Sequence, residues 1–152
     1  MFDEPVKSVM EQGSGLKVSP EERVWSATKL MASRQASAVM VVEAGRLVGI
    51  FTERDIVFRV VAVGLDGYAT RIGDVMTRAP VTVDAEQSFG VAQLIMQAGG
   101  LRHLPVVTGD EVVGIVSSRN AMDPALEEFG GEAHRRKRFE QECLTPLSVL
   151  VY

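Results

Sequence analysis

"AVMVVEAGRLVGIFTERD" occupies Ala38 to Asp55, and "HLPVVTGDEVVGIVSSRN" occupies His103 to Asn120. Each opens with an apolar, β-rich run, turns at Glu43–Arg46 or Thr108–Glu111, and continues through a second apolar run, which reads as a hairpin. Each closes on one heptad, Gly-x-x-[Ser/Thr]-x-x-[Asp/Asn], as Gly49–Asp55 and Gly114–Asn120. Sliding the chain by 65 positions (103 − 38 = 65) superimposes the two segments and also brings Val18 onto Val83. "VKSVM" ending at Met10 meets "IGDVM" ending at Met76 at an offset of 66, so one residue was gained or lost between them. One unit is therefore written twice, over about residues 6–60 and 72–122, joined by "VGLDGYATR" (Val63–Arg71). A repeat of this kind fixes the architecture as two copies of one supersecondary unit packed together.

The residues before each hairpin read alike. Ser19-Pro20-Glu21-Glu22 has the form of a capping box, with Pro20 suited to a first helical turn, and Asp84-Ala85-Glu86-Gln87 is its counterpart. Apolar residues then recur at helical spacing: Val24, Ala27, Leu30 and Met31 in one copy, Phe89, Ala92, Ile95 and Met96 in the other. Pro105 falls inside a β-rich run, which predicts a strand start or edge where no amide is missed. After Thr52 the pattern becomes helical and ends at Gly64, a suitable C-cap. Each unit reads as short strand, helix, hairpin, helix, and two of them give an α/β domain over residues 1–123, with a helical tail over 124–152.

Composition narrows the function. At 152 residues, 46% hydrophobic and 24% charged, the chain can bury a core without staples. A formal net charge of −4 gives the surface as a whole no attraction for nucleic acid or anionic lipid. Cys143 is the single cysteine, so neither an intramolecular disulfide nor a cysteine-based zinc cluster can form, and with only two histidines no metal site is expected. The N-terminus lacks the apolar run of a signal peptide and no stretch is long enough to span a bilayer, so a cytoplasmic, non-membrane protein is expected. Nucleophile-elbow, P-loop and zinc-protease motifs are absent, and Gly13-Ser14-Gly15 lacks the third phased glycine of a dinucleotide fingerprint. No enzyme activity is expected.

The order of elements, "VMT" at Val75–Thr77, "RHLPVV" at Arg102–Val107 and the twice-written heptad resemble the cystathionine β-synthase (CBS) domain, which occurs in tandem pairs. The resemblance covers about residues 5–123. It implies two pseudo-symmetric β-α-β-β-α repeats packed through their sheets, with a cleft at the pseudo-twofold axis. It also implies adenosyl ligands such as AMP, ATP, NAD or S-adenosylmethionine, no catalytic cofactor, and disc-like homodimers. With no catalytic domain attached, the regulated protein would be a separate chain. In the family the hydroxyl and acidic positions of the heptad contact ribose and phosphate, which here are Thr52 and Asp55 in one site, Ser117 and Asn120 in the other.

The chemistry suits those residues. One carboxylate can accept from both hydroxyls of a ribose, as Asp55 could, whereas Asn120 has the same shape without the charge. Ile50 and Ile115 are candidates to pack on a purine face, and Arg54 and Arg119, at equal phases, could reach phosphate or simply cover a solvated helix face. Family clefts are also lined at the hairpin start (Ala38 in one copy; Arg102, His103, Leu104 and Pro105 in the other) and just before the first strand (near Lys17, and near Pro80 and Val81). A plainer account of the heptad needs no ligand: Thr and Ser are ordinary N-caps, and an acid or amide three residues on suits a first helical turn. Two rival functions follow, a ligand-free interaction scaffold and a nucleic-acid binder using the basic run His134–Arg138, the latter opposed by the surrounding glutamates.

Overall fold

A computed structural model describes residues 3–10 and 15–121. The features read in the tail, from Pro124 through the basic run to Cys143, lie outside the described residues. The first half consists of α1 (Val6–Val9), β1 (Lys17–Val18), α2 (Val24–Arg34), β2 (Ala38–Glu43), β3 (Arg46–Thr52) and α3 (Glu53–Asp55), which continues as a π-helix over Ile56–Val61. The second half consists of α4 (Ile72–Val75), β4 (Thr77–Arg78), β5 (Val83–Asp84), α5 (Phe89–Gly99), β6 (His103–Thr108), β7 (Glu111–Ser117) and a 3₁₀ turn at Ser118–Ala121.

Both hairpins form as the alternating apolar runs predict. β2 and β3 pair antiparallel around Ala44 and Gly45, whose φ of 48° and 77° give the double left-handed turn that matches strand twist. Each hairpin carries a bulge at the same place, between Val41 and Val42 and between Val106 and Val107. Pro105 is the third residue of β6 and fully buried, rather than at a strand start. Its missing amide is harmless because β5 reaches β6 only at Val106 and Val107. In the first half Met40 stands at this position and donates its amide to the Leu16 carbonyl at 2.8 Å.

The helices lie where the apolar stripes put them, with Val24, Ala27 and Met31 buried on α2 and Phe89, Ala92 and Met96 on α5. Their starts differ from the expectation. Ser19 closes a turn on itself, its Oγ accepting from the Glu21 amide at 3.2 Å and its carbonyl from Glu22 at 3.0 Å. Asp84 does the same with Glu86 and Gln87. α2 begins only at Val24, and its first amides are met by carbonyls of the connecting segment: Val24 donates to Thr70, Trp25 to Gly67, both at 3.0 Å. α5 begins at Phe89, with Ser88 Oγ accepting from Val91 and the Glu4 carbonyl accepting from Phe89.

Those early turns serve another purpose. The Ile72 and Gly73 amides donate to the carbonyls of Glu22 and Pro20, each at 2.8 Å, so the second half's leading helix is pinned to the first half. Symmetrically, Val6 and Lys7 donate to Gln87 and Ala85 of the second half at 2.8 and 3.0 Å. The leaders are exchanged. Ile72, Val75 and Met76 complete the first half's core with Val24, Met31, Val41, Phe51 and Val60. β4 extends that sheet to the order β1-β2-β3-β4 beside the second half's β5-β6-β7. Val6 is wholly buried, with α1 packed on α5 and β7. Between the halves, Ala38, Met40 and Ile50 meet Val112 and Ile115, so the repeats pack through their sheets.

The heptad glycine receives the exchanged leader. A Cβ at Gly49 would collide with Met76 Sδ and stand 3.0 Å from the Thr77 carbonyl oxygen, whereas one at Gly114 would meet Met10 Sδ at 2.7 Å, its three nearest atoms all belonging to that side chain. Gly49→Ala therefore forces strand β4 to shift, while Gly114→Ala asks only a flexible thioether to swing. Chemical denaturation should show Gly49→Ala less stable by about 1–3 kcal/mol, and Gly114→Ala by clearly less. Equal losses would refute this reading of the leader contact.

Candidate functional site

Both heptads close on the same pair of hydrogen bonds. At the end of β3, Asp55 Oδ2 accepts from the Thr52 amide at 2.9 Å and from Thr52 Oγ1 at 3.0 Å. At the end of β7, Asn120 Oδ1 accepts from the Ser117 amide at 2.7 Å and from Ser117 Oγ at 2.8 Å. A single oxygen three residues on makes both bonds, which is why Asp and Asn are interchangeable here and why the spacing is kept. Asp55 has a second oxygen, and Oδ1 pairs with Arg59 Nε at 3.4 Å. Arg59 Nη1 then donates to the carbonyls of Val75 and Met76 at 3.2 and 2.8 Å. The first heptad is thus wired to the second half's leader.

A cleft of about 490 Å³ opens beside Thr52. The first half supplies Ser37, Ile50, Thr52 and Glu53, then Arg54, Val57 and Phe58 on the next turn; the second half supplies Gly100, Arg102 and His103. The structure so gathers five expected residues: Ile50, Thr52, Arg54, Arg102 and His103. Asp55 is not on the wall: only 7% exposed, it lies behind Thr52 as its bonding partner. Ala38 and Ile115 are buried in the core between the sheets, and Leu104 and Pro105 are wholly buried in β6. Lys17 crosses to the other half, its Nζ donating to the Val112 carbonyl at 3.1 Å. Ser117 and Asn120 bond one another, and Pro80 and Val81 line no part of this cleft.

Sequence reasoning passed over Ser37, Glu53, Val57, Phe58 and Gly100. Phe58 did leave a signal: it stands four residues after Arg54, the spacing that stacks two side chains on a helix face. The Arg54 guanidinium carbon lies 5.6 Å from the Phe58 ring centroid, a cation–π contact at the cleft wall. Across the cleft, Ser37 Oγ and His103 Nε2 are 2.7 Å apart and join the two halves. Burial holds the His103 pKa below its usual value of 6.5, helped by the charges of Arg119 and Arg102 and opposed by Glu53. No group of three or more His, Cys, Asp and Glu suited to a metal occurs among the described residues.

Two matching α/β halves with exchanged leaders, sharing one cleft walled from both sides, define a two-repeat module. The CBS domain model matches residues 6–62 and 72–125, and the chain belongs to that family. It is 37% identical over 117 residues to the CBS domain-containing protein YhcV of Bacillus subtilis, spanning 76% of this chain and 83% of that one. A protein with CBS domains from Burkholderia ambifaria superimposes with a TM-score of 0.72 at 30% identity, over 76% of this chain and 89% of that one. The CBS domain pair of protein MJ0100, solved with 5′-methylthioadenosine and S-adenosyl-L-methionine, shares the fold at a TM-score of 0.69 and 24% identity, over 76% and 94% of the two chains. Other relatives are longer: the chain spans 20% of the meiotically up-regulated gene 70 protein of Schizosaccharomyces pombe, at 32% identity over 147 residues and 82% of this chain.

The lowered His103 pKa has a signed consequence. The unfolded chain takes up a proton near pH 6.5 while the folded chain resists it, so folding stability falls as pH drops below 6.5 toward the depressed value. Thermal melts should give a lower midpoint at pH 5 than at pH 7.5, and His103→Gln should shrink that difference. A variant with an unchanged pH dependence would show that His103 titrates alike in the folded and unfolded chain and is not held as described.

Proposed function

We propose that this chain is a regulatory sensor that binds an adenosyl ligand, has no catalytic activity of its own, and acts on a separate protein. The observation that carries the proposal is the cleft built from both halves, with the Thr52 hydroxyl and Ile50 on one wall and Arg102 and His103 on the other. Its volume falls within the usual range of about 300–1,000 Å³ for small-ligand sites. Family membership and the methylthioadenosine and S-adenosylmethionine bound by MJ0100 support adenosine as the common element. AMP, ATP and NAD are the further candidates.

The mechanism follows from the geometry. A ligand touching Thr52 and His103 at once holds the halves in one relative setting, so occupancy biases an equilibrium between packings and changes affinity for a partner. Arg59 carries the first heptad's position to the Val75 and Met76 carbonyls, which gives the bias a route into the exchanged leader. Homodimer formation in the cytoplasm completes the proposal. Val61 and Leu94, 68% and 66% exposed on helices of opposite halves, offer apolar surface for a second copy. The same exposed residues favour the rival reading, a scaffold whose cleft binds nothing.

Calorimetric titration of the chain with AMP, ATP, NAD and S-adenosylmethionine separates the two. Binding heat with at least one is expected, weakened about fivefold by Thr52→Val, the loss of one neutral hydrogen bond of about 1 kcal/mol. No heat with any of the four would leave the scaffold as the better account.

A further inference from the structure

The chain as a whole is acidic, at a formal net charge of −4. The cleft is not. Its wall holds two arginines, Arg54 and Arg102, against one carboxylate, Glu53. The arginines come from opposite halves, one following β3 and one preceding β6. Among the described residues neither guanidinium is paired with a carboxylate, whereas Lys7, Arg59 and Arg71 are paired with Glu86, Asp55 and Glu21. A third arginine, Arg119, acts on the same wall, since its charge reaches His103.

We infer that the cleft selects among adenosyl ligands by negative charge, taking a phosphorylated nucleoside between Arg54 and Arg102 in preference to adenosine itself or a sulfonium nucleoside. This rests on the adenosyl-site reading above and sharpens it. A guanidinium offers several donors in a fixed fork that matches phosphate, so two of them facing one volume suit an anion with several oxygens. Gly100, two residues before Arg102, lines the cleft without a side chain, and a Cβ there would meet nothing within 4 Å, which leaves room beside its backbone. Phe58, 62% exposed, fixes Arg54 by stacking, so less side-chain freedom is lost when phosphate binds. A sulfonium nucleoside brings a positive centre into the same field and is repelled. Because the two cations belong to different halves, a phosphate between them also draws the halves together, which bare adenosine does not do.

The test is calorimetry on the full chain with adenosine, AMP, ADP and S-adenosylmethionine at about 0.05 M and 0.5 M salt. AMP and ADP should bind at least about tenfold more tightly than adenosine and S-adenosylmethionine at low salt, with the advantage shrinking at high salt as the charges are screened. Arg54→Ala and Arg102→Ala should each weaken AMP by about 10–100-fold, as for a charge-assisted hydrogen bond, with a several-fold smaller loss for adenosine. Equal affinity for AMP and S-adenosylmethionine, a salt-independent preference, or AMP binding untouched by both variants overturns this inference while leaving an adenosyl site standing. Absence of binding by all four removes the site and the inference together.

Discussion

The fold depends on an exchange of backbone hydrogen bonds between its halves. The Ile72 and Gly73 amides end on carbonyls of the first half, and the Val6 and Lys7 amides on carbonyls of the second. Each leader also delivers apolar side chains into the core it joins, so neither half is closed without a segment that belongs to the other. Buried amides need partners, and here those partners lie some fifty or more residues away in the chain. The cleft inherits its geometry from this arrangement. Thr52 and His103 face one volume because the sheets that carry them are packed through Ala38, Met40, Ile50, Val112 and Ile115 and strapped by the leaders.

Much of this was legible in the residues. The 65-residue offset, the hairpins and the apolar stripes of α2 and α5 all reflect local periodicity, and the structure follows them. The exchange of leaders left no such trace, because α1 and α4 span four residues each and a single turn has no period to detect. The helix starts were misplaced for a related reason. Ser19-Pro20-Glu21-Glu22 does have the letters of a capping box, but the turn it forms presents its carbonyls to the distant leader. At the site, Thr52 of the first heptad borders the cleft and Ser117 of the second does not. In both, the Asp or Asn bonds back to the amide and hydroxyl at the strand end, a pairing that neither the ribose reading nor the capping one described. Phe58 and Glu53 escaped notice because the motif's phase, rather than the helix face beyond it, directed attention.

The two copies have diverged at the cleft, at the heptad acid and in strand pairing. Met40 donates an amide that Pro105 lacks, so β1 begins earlier along its hairpin than β5 does. Asp55 engages Arg59 with an oxygen for which Asn120 has only an amide nitrogen. Ser37 and Ala38 stand opposite Arg102 and His103 in the alignment, and the structure puts Ser37 and His103 in contact at 2.7 Å. Duplication supplied the symmetry of the scaffold; substitution made the two sides of the cleft chemically different.

The π-helical turn has a further consequence. In the helix that follows β3, the buried positions Asp55 and Val60 lie five residues apart, where α-helical spacing would bring position 59 inward. The wider turn, closed by the Ala62 amide on the Val57 carbonyl at 2.8 Å, keeps Val60 in the core and leaves Arg59 at the surface, half-covered, with its head on the leader carbonyls. Losing Val57 or Phe58 would restore ordinary helical pitch and set Val60 four residues after Asp55, still facing the core. The wider turn therefore adds one residue to the helix without turning its core face away from Phe51 and Ile72. Six residues in one wide turn thus keep a valine inward and a guanidinium on the leader carbonyls at once.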